Sequence, residues 1–321
     1  MPILFIHCGA PKTGTSFLQV LFARYAAALA DAGIVYPETS SHAAASAGEI
    51  TSGNGVEMAN FLDPTLPHEI VDKEAFPDEL RRIAKAANGC HLLYSSEFIS
   101  FVDTERSARL VATITEIGYT PRIVYCVRDI GRAAISTYSQ QVKRHGESRS
   151  FRDFLAGWDP YYEWNLQCKI RNFGQDNVRI YNYEEHRGRL AELFFRDILE
   201  LDFVPYETER INRSLTLKEL ELMRTLNGHF PVPHREGLST FVSDALMKIS
   251  YKDQNIPLST DEFELRESRF SQTVDFINNH IRGQPIQICD RIESRSAALV
   301  DDFELGVMAI LARLMSVTLI R

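Results

Sequence analysis

An α/β fold built on a parallel central sheet is expected from three observations. Short apolar runs recur along the 321 residues, and helical periodicity fills the gaps between them. The first apolar run stops at a glycine-bounded loop, Gly9–Ser16 (GAPKTGTS), which opens straight into a helical stretch. Strands alternating with helices in this way form a parallel sheet covered on both faces.

The elements follow in order. Pro2–Cys8 (PILFIHC) is apolar throughout and ends at Gly9, as a buried parallel strand does. From Thr15 to Ala32 the apolar residues Phe17, Leu18, Leu21, Phe22, Tyr25 and Leu29 share one broad helical face, and Gly33 stops the helix. Ile34–Tyr36 is a weaker strand. His91–Tyr94 (HLLY), Arg122–Val127 (RIVYCV) and Val178–Tyr181 (VRIY) are further buried strands, with helices over Thr104–Ile117 and Ile130–Arg144. Residues 38–75 and 229–262 are rich in Gly, Pro or small polar residues and read as irregular insertions, either binding loops or tolerated excursions. Residues 263–321 read as a helical C-terminal part of one domain spanning 1–321. Its apolar end, FELGVMAILARLMSVTLI, is interrupted by Glu304 and Arg313, which favours a packed or oligomer-forming helix over a membrane span.

Composition narrows the partners. With Lys+Arg 35 against Asp+Glu 43, the net charge of -8 argues against nucleic acid. It leaves room for a local basic pocket. The cysteines at 8, 90, 126, 168 and 289 have no paired spacing, as expected of reduced thiols in a cytoplasmic protein. A core strand opening at Pro2 leaves no room for a signal peptide. No histidine pair has metal-ligand spacing, so no metal site is expected.

The loop carries the chemistry. A nucleoside-triphosphate loop reads G-x-x-x-x-G-K-[ST]. Here Gly9, Gly14 and Ser16 keep their places, Thr15 stands where lysine should be, and the lysine is at position 12. The strand, loop and helix context suits a 5′-phosphate at the helix N-terminus. The missing lysine after Gly14 weakens a kinase or NTPase reading, because that residue reaches the β- and γ-phosphates. The strand that should end in a metal-holding aspartate ends in Val127-Arg128-Asp129, which offers a second anion contact instead.

PKTGTS, together with Arg128 and a serine eight residues later at Ser136, resembles the sulfotransferases that use 3′-phosphoadenosine 5′-phosphosulfate (PAPS) and release PAP. The resemblance spans roughly residues 2–228 and leans toward bacterial and carbohydrate-type members. It implies a P-loop-like fold in which Pro11, Lys12, Thr13, Gly14, Thr15 and Ser16 cradle the 5′-phosphosulfate while Arg128 and Ser136 hold the 3′-phosphate. Tyr183-Glu184-Glu185 is similar to the family's Y-E-[DE], which puts Tyr183 near the adenine. The segment ERINRSL is similar to N-x-S-[LF], so Arg213 and Ser214 would complete the nucleotide pocket. DPYYEWNLQCKIRNFG, at 159–174, is similar to a carbohydrate-type segment.

Each assignment has a plainer alternative. Arg128 could pair with Glu97 or Asp129, Ser136 could bond back to its own helix, and Tyr183 could be core. Lys143-Arg144-His145 reads as a solvated helix end.

The shifted lysine has a chemical reason. Sulfuryl transfer builds charge on the oxygen bridging phosphorus and sulfur, and an ammonium beside it takes the place of Mg²⁺. Lys12 is therefore the expected electrophilic catalyst. The third strand ends in Ser95-Ser96-Glu97, where cytosolic relatives keep K-[ST]-H, so the resemblance makes Glu97 the general base in the histidine's place. The acceptor expected is a small molecule or saccharide bearing a hydroxyl or amine. The rival readings are a P-loop kinase or NTPase and a catalytically idle nucleotide-binding module.

Overall fold

The computed structural model describes residues 1–100 apart from positions 41, 50, 67, 69 and 71, then 104–206, 215, 217–248 and 267–288. The chain divides into two compact units. The first comprises Met1–Arg128, Tyr161–Ile211 and Gln272–Ile286, and the second Asp129–Pro160, Asn212–Ser271 and Gln287–Arg321.

The first unit is built on a six-stranded sheet among the described residues. Its strands are β1 (Ile3–His7), β2 (Ile34–Val35), β3 (His91–Ser95), β4 (Thr120–Val127), β5 (Val178–Asn182) and β6 (Ile281–Arg282), in the order β2-β3-β1-β4-β5-β6. Every pairing is parallel. The α/β class with a P-loop-like parallel sheet is therefore what the chain adopts. Register explains why the central strands are apolar on both sides. Phe5 aligns with Leu93 and with Arg122, and His7 aligns with Val124, so one face carries Phe5, His7, Leu93, Val124 and Cys126. On that face pack Leu18, Leu21 and Phe22 of the helix Thr15–Arg24, with Leu190, Leu193, Phe194 and Phe195.

Several boundaries differ from the sequence reading, each for a local reason. The helix expected over 15–32 is two helices, Thr15–Arg24 and Ala26–Asp31. Tyr25 steps out of helical ψ between them (φ -104°, ψ 19°), with its ring against Phe195 and Phe203. The 38–75 stretch contains the helices His42–Ser46 and Val56–Leu62, too short at 5 and 7 residues to register as periodicity. In the second stretch, Pro231 and Pro233 mark the entry to a 14-residue helix, Arg235–Lys248, rather than a loop. Strand β6 was not expected: two residues at a sheet edge leave no apolar run to read.

The second unit is helical in its described part, with Ile130–Arg144, Phe151–Gly157, Leu217–His229 and Arg235–Lys248. They close over Tyr138, Phe151, Phe154, Met223, Leu226 and Phe230. Asn227 is buried in it and donates to the carbonyls of Val142 (2.8 Å) and Glu147 (2.9 Å). The apolar segment after residue 288 lies outside the described residues.

Candidate functional site

The loop after β1 is shaped by backbone bonds before any side chain acts. Cys8 N–H donates to the Val124 carbonyl (3.0 Å) and Ala10 N–H to the Cys126 carbonyl (2.9 Å), so the chain stays bound to β4 beyond the end of the strand. It then turns sharply, with Lys12 at φ 68° and Gly14 at φ 79° on either side of Thr13. Glycine is required at two places. A Cβ on Gly9 would strike the Thr13 side chain, and one on Gly14 would strike Leu190 and come within 3.3 Å of Tyr183. Gly14 is the N-cap of the helix Thr15–Arg24, whose first turn holds no acidic residue. The leading N–H groups of a helix have no intrahelical acceptor and carry its positive dipole end.

The loop side chains divide by direction. Pro11 and Lys12 are exposed, Ser16 is half-buried, and Thr13 and Thr15 are buried. The Thr13 hydroxyl donates to the Ala10 carbonyl (2.7 Å), closing the turn on itself. The hydroxyl proton is thus engaged within the loop, which leaves the backbone N–H of Thr13 as its donor toward a ligand. The Thr15 hydroxyl donates to Glu97 Oε2 at 3.4 Å, which brings the expected base to the mouth of the loop.

Arg128, at the end of β4, is 8% exposed. Its partner is neither Glu97 nor Asp129. Nε and Nη2 donate to Glu184 Oε1 at 2.8 and 2.6 Å, and Nη1 donates to the Lys12 carbonyl at 3.1 Å. Tyr183 is half-buried, its ring centroid 5.0 Å from the Arg128 guanidinium carbon and its edge beside Gly14. The structure thus gathers Pro11–Ser16, Glu97, Arg128 and Tyr183 around one loop. Ser136 lies mid-helix in Ile130–Arg144 of the second unit, half-buried. Arg213 and Ser214 lie outside the described residues.

The neighbouring strand end is organised by side chains. Ser96 N–H donates to the His7 carbonyl (3.1 Å), the Ser95 hydroxyl meets His7 Nδ1 at 2.9 Å, and the Ser96 hydroxyl donates to the Ser52 carbonyl (2.7 Å). Asn54 completes the wall, accepting from Ser95 N–H at 2.8 Å and donating to the Leu93 carbonyl at 2.9 Å. Glu97 then opens a short 3₁₀ turn, Glu97–Ser100, half-buried. Beneath the loop, His7 is fully enclosed, and burial pushes its imidazole down to about 3, so it is neutral at working pH. Lys169 is 1% exposed with its Nζ 4.7 Å from the Tyr125 ring centroid, and burial lowers its basicity.

Sequence reasoning missed Glu184 and Asn54. Glu184 stood inside the quoted Tyr183-Glu184-Glu185, next to the residue singled out. Asn54 had no signal beyond the glycines beside it, because its partners are far away in the chain. Among the described residues, no group of three or more His, Cys, Asp and Glu side chains is placed to hold a metal ion, and no helix is long and apolar enough to cross a membrane.

No family model and no curated protein matches the chain. Among solved structures it is similar to the sulfotransferase from Alicyclobacillus acidocaldarius, at 17% identity over 78% of this chain and 98% of that one, with a TM-score of 0.39. It is also similar to the sulfotransferase domain from the curacin biosynthetic pathway, at 11% identity over 84% of this chain and 98% of that one, with a TM-score of 0.38.

Proposed function

We propose that the chain is a sulfotransferase that moves the sulfuryl group of PAPS to a hydroxyl or amine of a polar, carbohydrate-like acceptor. The observation that carries this reading is the pair of contacts on one loop: Arg128 Nη1 to the Lys12 carbonyl and Thr15 Oγ1 to Glu97 Oε2. An anion contact and a carboxylate therefore flank a lysine-bearing phosphate loop. The cradle suits an anion, since Gly9 and Gly14 leave space that any Cβ would fill and the helix start carries no competing acid.

In the proposed reaction Glu97 accepts the proton of the acceptor hydroxyl as its oxygen attacks sulfur. The new oxygen–sulfur bond forms, the bond from sulfur to the bridging phosphate oxygen breaks, and the electron pair leaves with PAP. Lys12 stabilises charge on that leaving oxygen, an interaction that grows only toward the transition state. Arg128 holds the 3′-phosphate and Tyr183 lies by the adenine. No divalent cation takes part.

Thermal melting tests the reading, because a ligand that binds only the folded state raises Tm. PAP is expected to stabilise the protein without added metal, and EDTA to leave that shift unchanged. A shift abolished by EDTA, or a larger one from ATP–Mg²⁺ or GTP–Mg²⁺, would move the protein to the kinase or NTPase class.

A further inference from the structure

Lys12 holds a backbone conformation that its side chain does not favour. At φ 68° it sits in the left-handed region, where asparagine and aspartate can help themselves by local hydrogen bonds and lysine cannot. Such a conformation persists when the surroundings fix it. Here the fixing group is visible, because the Lys12 carbonyl accepts from Arg128 Nη1.

Arg128 is held in turn by Tyr183, Glu184 and the Lys12 carbonyl. Its guanidinium carbon lies over the Tyr183 ring, and its Nε and Nη2 both donate to Glu184 Oε1. Glu184 is itself set by Asn182, whose Oδ1 accepts from Glu184 N–H at 2.9 Å, while Asn182 Nδ2 donates to the Pro285 carbonyl at 3.0 Å. The whole ladder is sheltered, with the Arg128 and Glu184 side chains 10% and 13% exposed. A guanidinium has five N–H donors. Three are engaged by Glu184 and Lys12, so among the described residues two remain for an anion. A phosphate can then be met without breaking the hold on the loop.

We propose that Glu184 and Arg128 are positioning residues for Lys12. Glu184 sets the guanidinium, and the guanidinium fixes the turn from which the lysine side chain projects. What Lys12 does once aimed rests on the sulfuryl-transfer reading; the aiming itself does not. On this proposal what Glu184 supplies to Lys12 is position, so its reach is what the variants must separate from its charge. Glu184→Gln keeps the length and an acceptor oxygen, whereas Glu184→Asp keeps the charge and withdraws the oxygen by one methylene.

The experiment compares wild type, Glu184→Gln and Glu184→Asp by three readouts. These are the rate of Lys12 acetylation by N-hydroxysuccinimidyl acetate, followed by peptide mass spectrometry; the Kd for PAP by calorimetry; and PAP release from PAPS with water as acceptor. Glu184→Asp is expected to change Lys12 acetylation by about threefold or more and to lower kcat by about tenfold to a hundredfold, as a misplaced catalytic group does, with a smaller change in Kd. Glu184→Gln stays closer to wild type on all three. An Asp variant with wild-type acetylation and turnover overturns the proposal, as does a Gln variant worse than Asp, or equal losses in Kd and kcat. If wild type neither binds PAP nor releases it, the sulfuryl-transfer reading fails, and acetylation of the same variants still decides whether Glu184 aims Lys12.

Discussion

The two walls of the site are made by different means. The loop wall, residues 9–16, is a contiguous segment whose shape comes from backbone bonds to β4, two positive φ angles and two glycines. The strand-end wall, Ser95–Glu97, is made by side chains that arrive from far along the chain: His7 behind it, and Ser52 and Asn54 in front. A wall made of backbone leaves a compact signature in sequence. One made of distant side chains leaves almost none. That difference falls between the side proposed to hold the donor and the side proposed to meet the acceptor.

Three substitutions sharpen the contrast. Lys12→Ala strikes the loop wall at its one exposed cation and carries the largest expected effect. Loss of an electrostatic contact to developing charge costs about 10²–10³ in kcat, with PAP affinity changed much less. A rise confined to KM would make Lys12 a plain phosphate contact.

Glu97→Gln tests the point where the walls meet. It keeps the shape that receives the Thr15 hydroxyl and removes the base, so kcat is expected to fall by about two orders of magnitude while PAP binding and Tm hold. Turnover near wild type on a hydroxyl acceptor would end that assignment. The acceptor must be known first, since an amine already neutral at working pH needs no base.

Asn54→Ala acts on the strand-end wall alone. It strips the buried Ser95 N–H of its acceptor, at a cost of about 1–3 kcal/mol in stability. Its kinetic effect is expected in the acceptor KM, with the Kd for PAP unchanged. Equal weakening of both ligands would show that the walls are coupled.

Much of the fold was legible because the central strands are short apolar runs that need no knowledge of their partners. Arg122–Val127 and Val178–Tyr181 lie within β4 and β5. The edge strand β6 was not, since Ile281–Arg282 is a strand only by virtue of Ile180 and Tyr181 beside it. In the site, the loop motif, the strand end and the family resemblance singled out Lys12 and Arg128, but the bond from the Thr13 hydroxyl to the Ala10 carbonyl was not legible. Which acceptor a threonine hydroxyl finds depends on a local turn geometry that composition does not encode. Glu184 left no signal because its partner, Arg128, lies 56 residues away in the chain.

The sheet order also sets when the loop can exist. The first strand of the chain lies at the centre, between β3 and β4, and both partners come much later in the sequence. Long-range parallel pairing of this kind is slow to form and leaves apolar edges open meanwhile. Cys8 and Ala10 find their acceptors only at Val124 and Cys126. During synthesis on the ribosome, then, the segment richest in chemistry emerges before both of its partner strands and acquires its shape late. A nascent chain cut short before β4 would carry the whole loop motif and bind nothing with it.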